Sequence, residues 1–176
     1  MRTVRLSMAG ALILGLLGGI AAVTVAQSDA PVTTESALLS GTMPYPIVTD
    51  PTPHISEEDR VLVRDYGFGG TIDTGDPRLS GEAWAIWYAD RYLDSQGSVV
   101  AGLIGIDNEL GSWRGTFRGY TTEGDAQIYL LAELAGEGAY EGLSAILFQL
   151  DNGSGFDLEG MVYPGEVPAF PEVPAQ

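Results

Sequence analysis

From Asp59 to Tyr163 turn-forming residues divide the chain into segments of six to eleven residues, most of which alternate apolar and polar side chains. Successive side chains of a β-strand point to opposite faces, so a period of two marks strands with one buried face. The candidate strands are Asp59–Tyr66, Phe68–Asp73, Glu82–Tyr92, Val99–Asp107, Trp113–Tyr120, Ala126–Leu134, Leu143–Leu150 and Phe156–Tyr163. Between them stand "TGDPRLSG" (74–81), "DSQG" (94–97), "DNELG" (107–111), "TTEGD" (121–125), "AGEG" (135–138) and "DNGSG" (151–155), all rich in turn formers. Asn152-Gly153 is the strongest hairpin signal among them. Only Ser56–Asp59 suits a short helical turn, capped by Ser56. Closely spaced strands joined by short turns predict an all-β fold, a closed antiparallel barrel of about eight strands that leaves no edge exposed. A two-sheet β-sandwich is the alternative.

The segment "WRGTFRGY" shows how the interior is expected to be filled. Trp113, Gly115, Phe117 and Gly119 share one face, while Arg114, Thr116, Arg118 and Tyr120 share the other. The first set is the interior face, with large and small residues alternating to fit a narrow, tapering barrel, and glycine letting a coiled strand bend. Tyr140-Glu141-Gly142 repeats the aromatic, charge, glycine order of Trp113-Arg114-Gly115, and so reads as a barrel corner.

Four stretches, "DPRLSG" (Asp76–Gly81), "GSWRGTF" (Gly111–Phe117), "GEGAYEGL" (Gly136–Leu143) and "LEGMVYPGEVP" (Leu158–Pro168), resemble a group of uncharacterised secreted bacterial β-barrel proteins. More remotely they are similar to the allene oxide cyclase and dirigent barrels. The resemblance spans roughly residues 60–168 and implies an eight-stranded barrel that is able to oligomerise. Its motifs are glycine and aromatic marks of structure, and no catalytic position of those families maps onto this chain.

The ends differ in composition from the middle. Arg2 and Arg5 precede an apolar stretch from about Met8 to Val25, the layout of a secretory signal peptide, and Thr24-Val25-Ala26 fits signal peptidase. The expected organisation is therefore a signal peptide over 1–26, a flexible spacer and proline-rich arm over 27–53, a β-barrel domain over 54–166 and a C-terminal tail over 167–176. The alternative for the first segment is an uncleaved membrane anchor, since the apolar run approaches the ~18 residues that span a bilayer. No cysteine follows the run, which excludes a lipid anchor. In the arm, "MPYPIVTDPTP" (43–53) carries prolines that interrupt ladder pairing and favour extended backbone.

Cleavage would remove two of the eight cations and no acid, taking the formal charge from −16 to −18. So acidic a chain is repelled by nucleic acid and by anionic membrane surfaces, and neither is expected as a partner. With no cysteine there is no disulfide framework, so stability rests on a packed core, which a domain of about 120 residues is long enough to bury.

The absence of cysteine and lysine also excludes thiol nucleophiles, Schiff-base chemistry and a P-loop. The lone histidine, His54, lies among prolines, where nothing local would hold it for a Ser-His-Asp arrangement. The run from Asp151 to Asp157 spaces oxygens that calcium uses but lacks the distal glutamate of an EF-hand, and a plain turn accounts for it equally. Asp73, Asp76 and Arg78 crowd a turn fixed by Pro77, which suggests a carboxylate–guanidinium clamp or a polar rim at a barrel mouth. An acid/base pair would come from Asp73, Asp76, Glu109 and Glu141. No cofactor and no metal are expected.

What remains is a secreted barrel of non-enzymatic character that binds a small apolar or aromatic ligand or a partner protein. Trp84, Trp87, Trp113, Phe117, Tyr129 and Tyr140 are the candidate ligand-binding residues, against a simpler role as core filler. The alternative is an isomerase or cyclase on the same barrel. In "EAWAIWYADRY" (82–92) both faces are apolar, as they are around Ile146 and Phe148, so a second cover is needed. Either the proline arm supplies it or a homo-oligomer, a dimer or trimer, forms. Intact mass and light scattering of the exported protein test both expectations: a chain beginning at Gln27 with a multiple of the monomer mass agrees, and a retained 1–26 segment or a monomer contradicts the corresponding one.

Overall fold

The structure, a computed structural model, describes residues 32–95, 97–122 and 127–168. The expected signal peptide, the beginning of the spacer and the tail from residue 169 lie outside the described residues. Within them, ten strands form one antiparallel sheet: β1 (Ala37–Pro44), β2 (Ile47–Asp50), β3 (Ile55–Ser56), β4 (Arg60–Ile72), β5 (Gly81–Tyr92), β6 (Ser98–Asp107), β7 (Gly111–Thr121), β8 (Ile128–Gly138), β9 (Leu143–Asp151) and β10 (Gly155–Pro164). From β4 to β10 each strand pairs with its sequence neighbour, while β1 pairs with β10, and β2 and β3 pair with β4.

The all-β architecture agrees with the sequence; the closed barrel does not. The sheet curls into an open half-barrel whose ladder has two ends, β1 and β2, and in this respect it is nearer to the open-edged sandwich alternative. The edges approach at a single bridge, where Thr42 and Asp73 exchange backbone hydrogen bonds of 2.8 and 3.1 Å. Pro44 and Pro46, with no N–H to donate, stand where β1 gives way to β2, so pairing with β4 cannot run on uninterrupted. At the bridge the backbones come so close that a side chain on Gly41 would collide with the Asp73 carbonyl.

β1 occupies residues assigned by sequence to the spacer and arm. Its Leu39 joins the core, and its ladder ends at Pro44, before the remaining prolines intervene. Two of the expected strands merge into β4, whose pairing with β5 shifts between Val63 and Tyr66, with Asp65 at a positive φ of 52°. This bulge brings Val61, Val63, Tyr66 and Phe68 to one face although their spacing is irregular in sequence. Ser56–Asp59 is not helical: Ser56 ends β3, and Glu57 N–H donates to the Arg60 carbonyl in a tight turn.

The concave face holds the core. Trp113 and Phe117 are buried there, as the alternation on β7 implies, beside Ile104, Ile106, Leu134 and Leu147. The convex face carries Arg114, Thr116, Arg118 and Tyr120, but also Leu103, Phe148 and Met161, which remain exposed. The proline arm lies on the other side, with Met43 and Pro46 close to Gly70 on the concave face.

The glycines serve two distinct ends. A Cβ on Gly115 would run into the Glu133 carbonyl of β8, so this glycine permits close backbone approach in a strongly coiled pair. Gly142, read by sequence as a barrel corner, sits in the β8–β9 turn at φ +82° with open space around it, and is needed for its conformation alone. Valine at 115 should therefore cost more than about 3 kcal/mol, beyond ordinary overpacking, while alanine at 142 should cost about 1–2 kcal/mol for the left-handed backbone. Urea unfolding of the two variants checks this, and equal losses would contradict it.

Candidate functional site

The two ends of the half-barrel are built differently. At one end the turn after β4 carries Asp76, whose carboxylate caps a short 3-10 turn, Pro77–Leu79, by accepting the Arg78 N–H at 2.9 Å. The same carboxylate takes the Arg78 guanidinium side-on, at 3.0 Å from Nε and 2.6 Å from Nη2. Nη1 donates to the carbonyls of Thr33 and Glu35 at 2.9 Å each, tying the segment before β1 to this turn. The Arg78 hydrogen bonds hold the Asp76 carboxyl below its ordinary range, and the bonds from Asp76 raise Arg78 in turn.

The network continues inward. Trp113 Nε1 donates to the Arg78 carbonyl at 2.7 Å, and Asn108 Nδ2 spans the carbonyls of Pro77, Arg78 and Ser80. Tyr140 O–H donates to Asn108 Oδ1 at 2.7 Å, and its ring stacks on Trp113 with centroids 5.2 Å apart. Burial pushes the Tyr140 phenol up. Both rings are fully buried and plug this end. Asp73 spends a carboxylate oxygen on the Gly75 N–H, while Glu109 and Glu141 lie exposed in turns. The clamp expected of Asp76 and Arg78 is present, and it sits at the plugged end.

Behind the plug the interior is nearly full. The gap between Met43, Pro46, Trp87, Phe117, Leu130 and Gln149 leaves only about 30 Å³. Toward the other end the half-barrel opens into a mouth of about 430 Å³, lined by His54, Val61, Val63, Tyr66, Phe68, Trp87, Ala89, Arg91, Ser98, Val100, Thr121 and Ile128. Rings step down one wall: His54 to Tyr66 at 5.8 Å, Tyr66 to Phe68 at 5.2 Å, Phe68 to Trp87 at 5.3 Å and Trp87 to Phe117 at 5.3 Å. Such spacings suit edge and tilted contacts, and leave ring faces available to a planar guest.

The six aromatic candidates from the sequence are not brought together. Trp87 lines the mouth and Phe117 lies beneath it. Trp113 and Tyr140 belong to the plug. Trp84 lies across Gly105 on the convex face with the Arg114 guanidinium 5.5 Å from its ring, and Tyr129 stacks on Tyr120 there at 4.9 Å. Sequence reasoning missed Tyr66 and Phe68 because the β4 bulge hides their common face. His54, read only as a poor triad member, reaches the mouth because the arm folds back on β4. In the Asp151–Asp157 turn, Asp151 and Asn152 side chains accept backbone N–H groups of Gly153 and Ser154, the pattern of a closed polar turn. Among the described residues no group of three His, Asp or Glu side chains is placed to share a metal ion.

No protein-family model, curated protein or solved structure matches this chain.

Proposed function

We propose that this protein is an exported binder of a small apolar or aromatic molecule, held in the open mouth between β4 and β8. The observation that carries the reading is the mouth itself: about 430 Å³, apolar walls, a descending series of rings and a few polar side chains. Ligand sites have this size and this balance of lining. The plugged end and the filled interior leave the guest one way in, so it would rest against Phe68 and Trp87 with Val100 beside them. Turnover by a cyclase or isomerase in the same mouth would need an acid and a base there, and the described lining offers His54 with no carboxylate to pair with it.

The neutral fluorophore N-phenyl-1-naphthylamine probes the reading. It should bind the protein at one saturable site. Ala89→Trp, which fills the mouth from β5, should weaken binding at least about tenfold, and Trp84→Phe on the convex face should leave it unchanged. Undiminished binding by Ala89→Trp, or loss in Trp84→Phe, would contradict the assignment.

A further inference from the structure

Two turns of the sheet share one frame and differ in reactivity. Asp107-Asn108-Glu109-Leu110-Gly111 joins β6 to β7, and Asp151-Asn152-Gly153-Ser154-Gly155 joins β9 to β10; they hold the chain's only two asparagines. In each turn the asparagine N–H donates to the carbonyl of the closing glycine, at 3.1 Å. In each the asparagine Oδ1 also accepts the N–H two residues on, from Leu110 at 3.1 Å and from Ser154 at 2.9 Å. That bond folds the side-chain amide over the following peptide and draws its Cγ toward the next residue's nitrogen.

Asn108 is locked in place. Its Nδ2 serves the carbonyls of Pro77, Arg78 and Ser80, and its Oδ1 also holds the Gly111 N–H and the Tyr140 O–H. The side chain of Glu109 crowds any ring that would close onto that residue's nitrogen. Asn152 is exposed instead, and its successor is a glycine at φ +84° with open space around it.

The contacts that Asn152 does make favour attack on its amide. The Gly153 N–H donates to Asp151 Oδ1 at 2.7 Å, so an acceptor for the proton of the attacking nitrogen is already in place. Oδ1 of Asn152, where negative charge develops, accepts from both the N–H and the Oγ–H of Ser154, each at 2.9 Å. Nδ2, the leaving nitrogen, donates to Asp157 Oδ1 at 2.7 Å.

We infer that Asn152 is a site of self-promoted deamidation. Gly153 N bonds to Asn152 Cγ and the Cγ–Nδ2 bond breaks. The Gly153 proton passes by way of Asp151 to the departing nitrogen, which leaves as ammonia. Water then opens the five-membered succinimide at either carbonyl, giving aspartate or isoaspartate at position 152. Either product sets a carboxylate where an amide had donated to Asp157, and isoaspartate adds one atom to the backbone of a tight hairpin turn.

Incubation of the folded protein in mildly alkaline buffer, read by peptide mapping with mass spectrometry and by isoaspartyl methyltransferase labelling, tests the inference. Residue 152 should exchange NH2 for OH, with isoaspartate among the products, at a rate within about tenfold of that in urea. Asn108 should stay intact over the same period. Ser154→Ala should slow the folded protein's conversion at least about threefold and leave the rate in urea unaltered, which separates the turn's contribution from that of the Asn-Gly sequence. No conversion at 152, aspartate without isoaspartate, or equal conversion at Asn108 would overturn the inference. So would a folded rate more than about tenfold below that in urea, which would mean that the turn protects the amide, or a Ser154→Ala rate equal to that of the unmodified protein.

Discussion

Arg78 holds a positive charge almost out of water, and much of the rest of the molecule is arranged around it. Its side chain is 7% exposed and that of Asp76 is 14% exposed. Removing one member of such a pair costs more than the pair itself contributes, because the survivor stays buried without compensation. Here the guanidinium also holds the carbonyls of Thr33 and Glu35, and the Arg78 carbonyl holds Trp113 and Asn108. One turn of the chain thereby fixes the segment entering β1, the β6–β7 turn and, through Asn108 and Tyr140, the β8–β9 turn. The Thr42–Asp73 bridge lies beside this turn, where the two edges of the sheet come closest.

An open sheet pinned at one end has a natural asymmetry. The pinned end can be packed to completion, and stacked Trp113 and Tyr140 do so with their polar atoms satisfied. The other end carries no such plug, and concave side chains of β4 to β8 line an open mouth there.

The sequence exposed the strands and their faces more fully than it exposed the site. Between β5 and β10 most turn residues mark the strand ends to within a few residues, although "AGEG" (135–138), read as a turn, lies inside β8 and the turn follows at 139–142; the order Trp113, Gly115, Phe117, Gly119 identifies the concave face of β7. Asn152-Gly153 marks the last hairpin, with Gly153 at φ +84°. What stayed hidden follows from long-range pairing. Proline content in 43–53 argues against ladders, yet β1 stops at the first of those prolines and finds β10 more than a hundred residues away. Tyr140 reads as a barrel corner because its neighbours repeat the β7 motif, whereas Gly138 and Gly142, both at positive φ, make it the centre of a turn. The mouth draws on β4 to β8 and on His54 from the arm, and its composition becomes visible only once the β4 bulge and the strand register are known.

The account depends most directly on the Asp76–Arg78 pair, and the pH dependence of Asp76→Asn tests it. Because the Asp76 carboxyl is held below its ordinary value, it stabilises the fold fully above about pH 5, and that stabilisation fades as the pH falls through the usual carboxylate value near 3.9 toward the depressed one. Thermal unfolding of the two proteins from pH 7 to pH 2 reads the effect as a difference in Tm. The variant should melt about 10 °C or more below the unmodified protein at pH 7, with the gap closing as acid protonates Asp76. Equal melting temperatures at pH 7, or a gap that stays constant into acid, would contradict the claim that this buried pair holds the open sheet together.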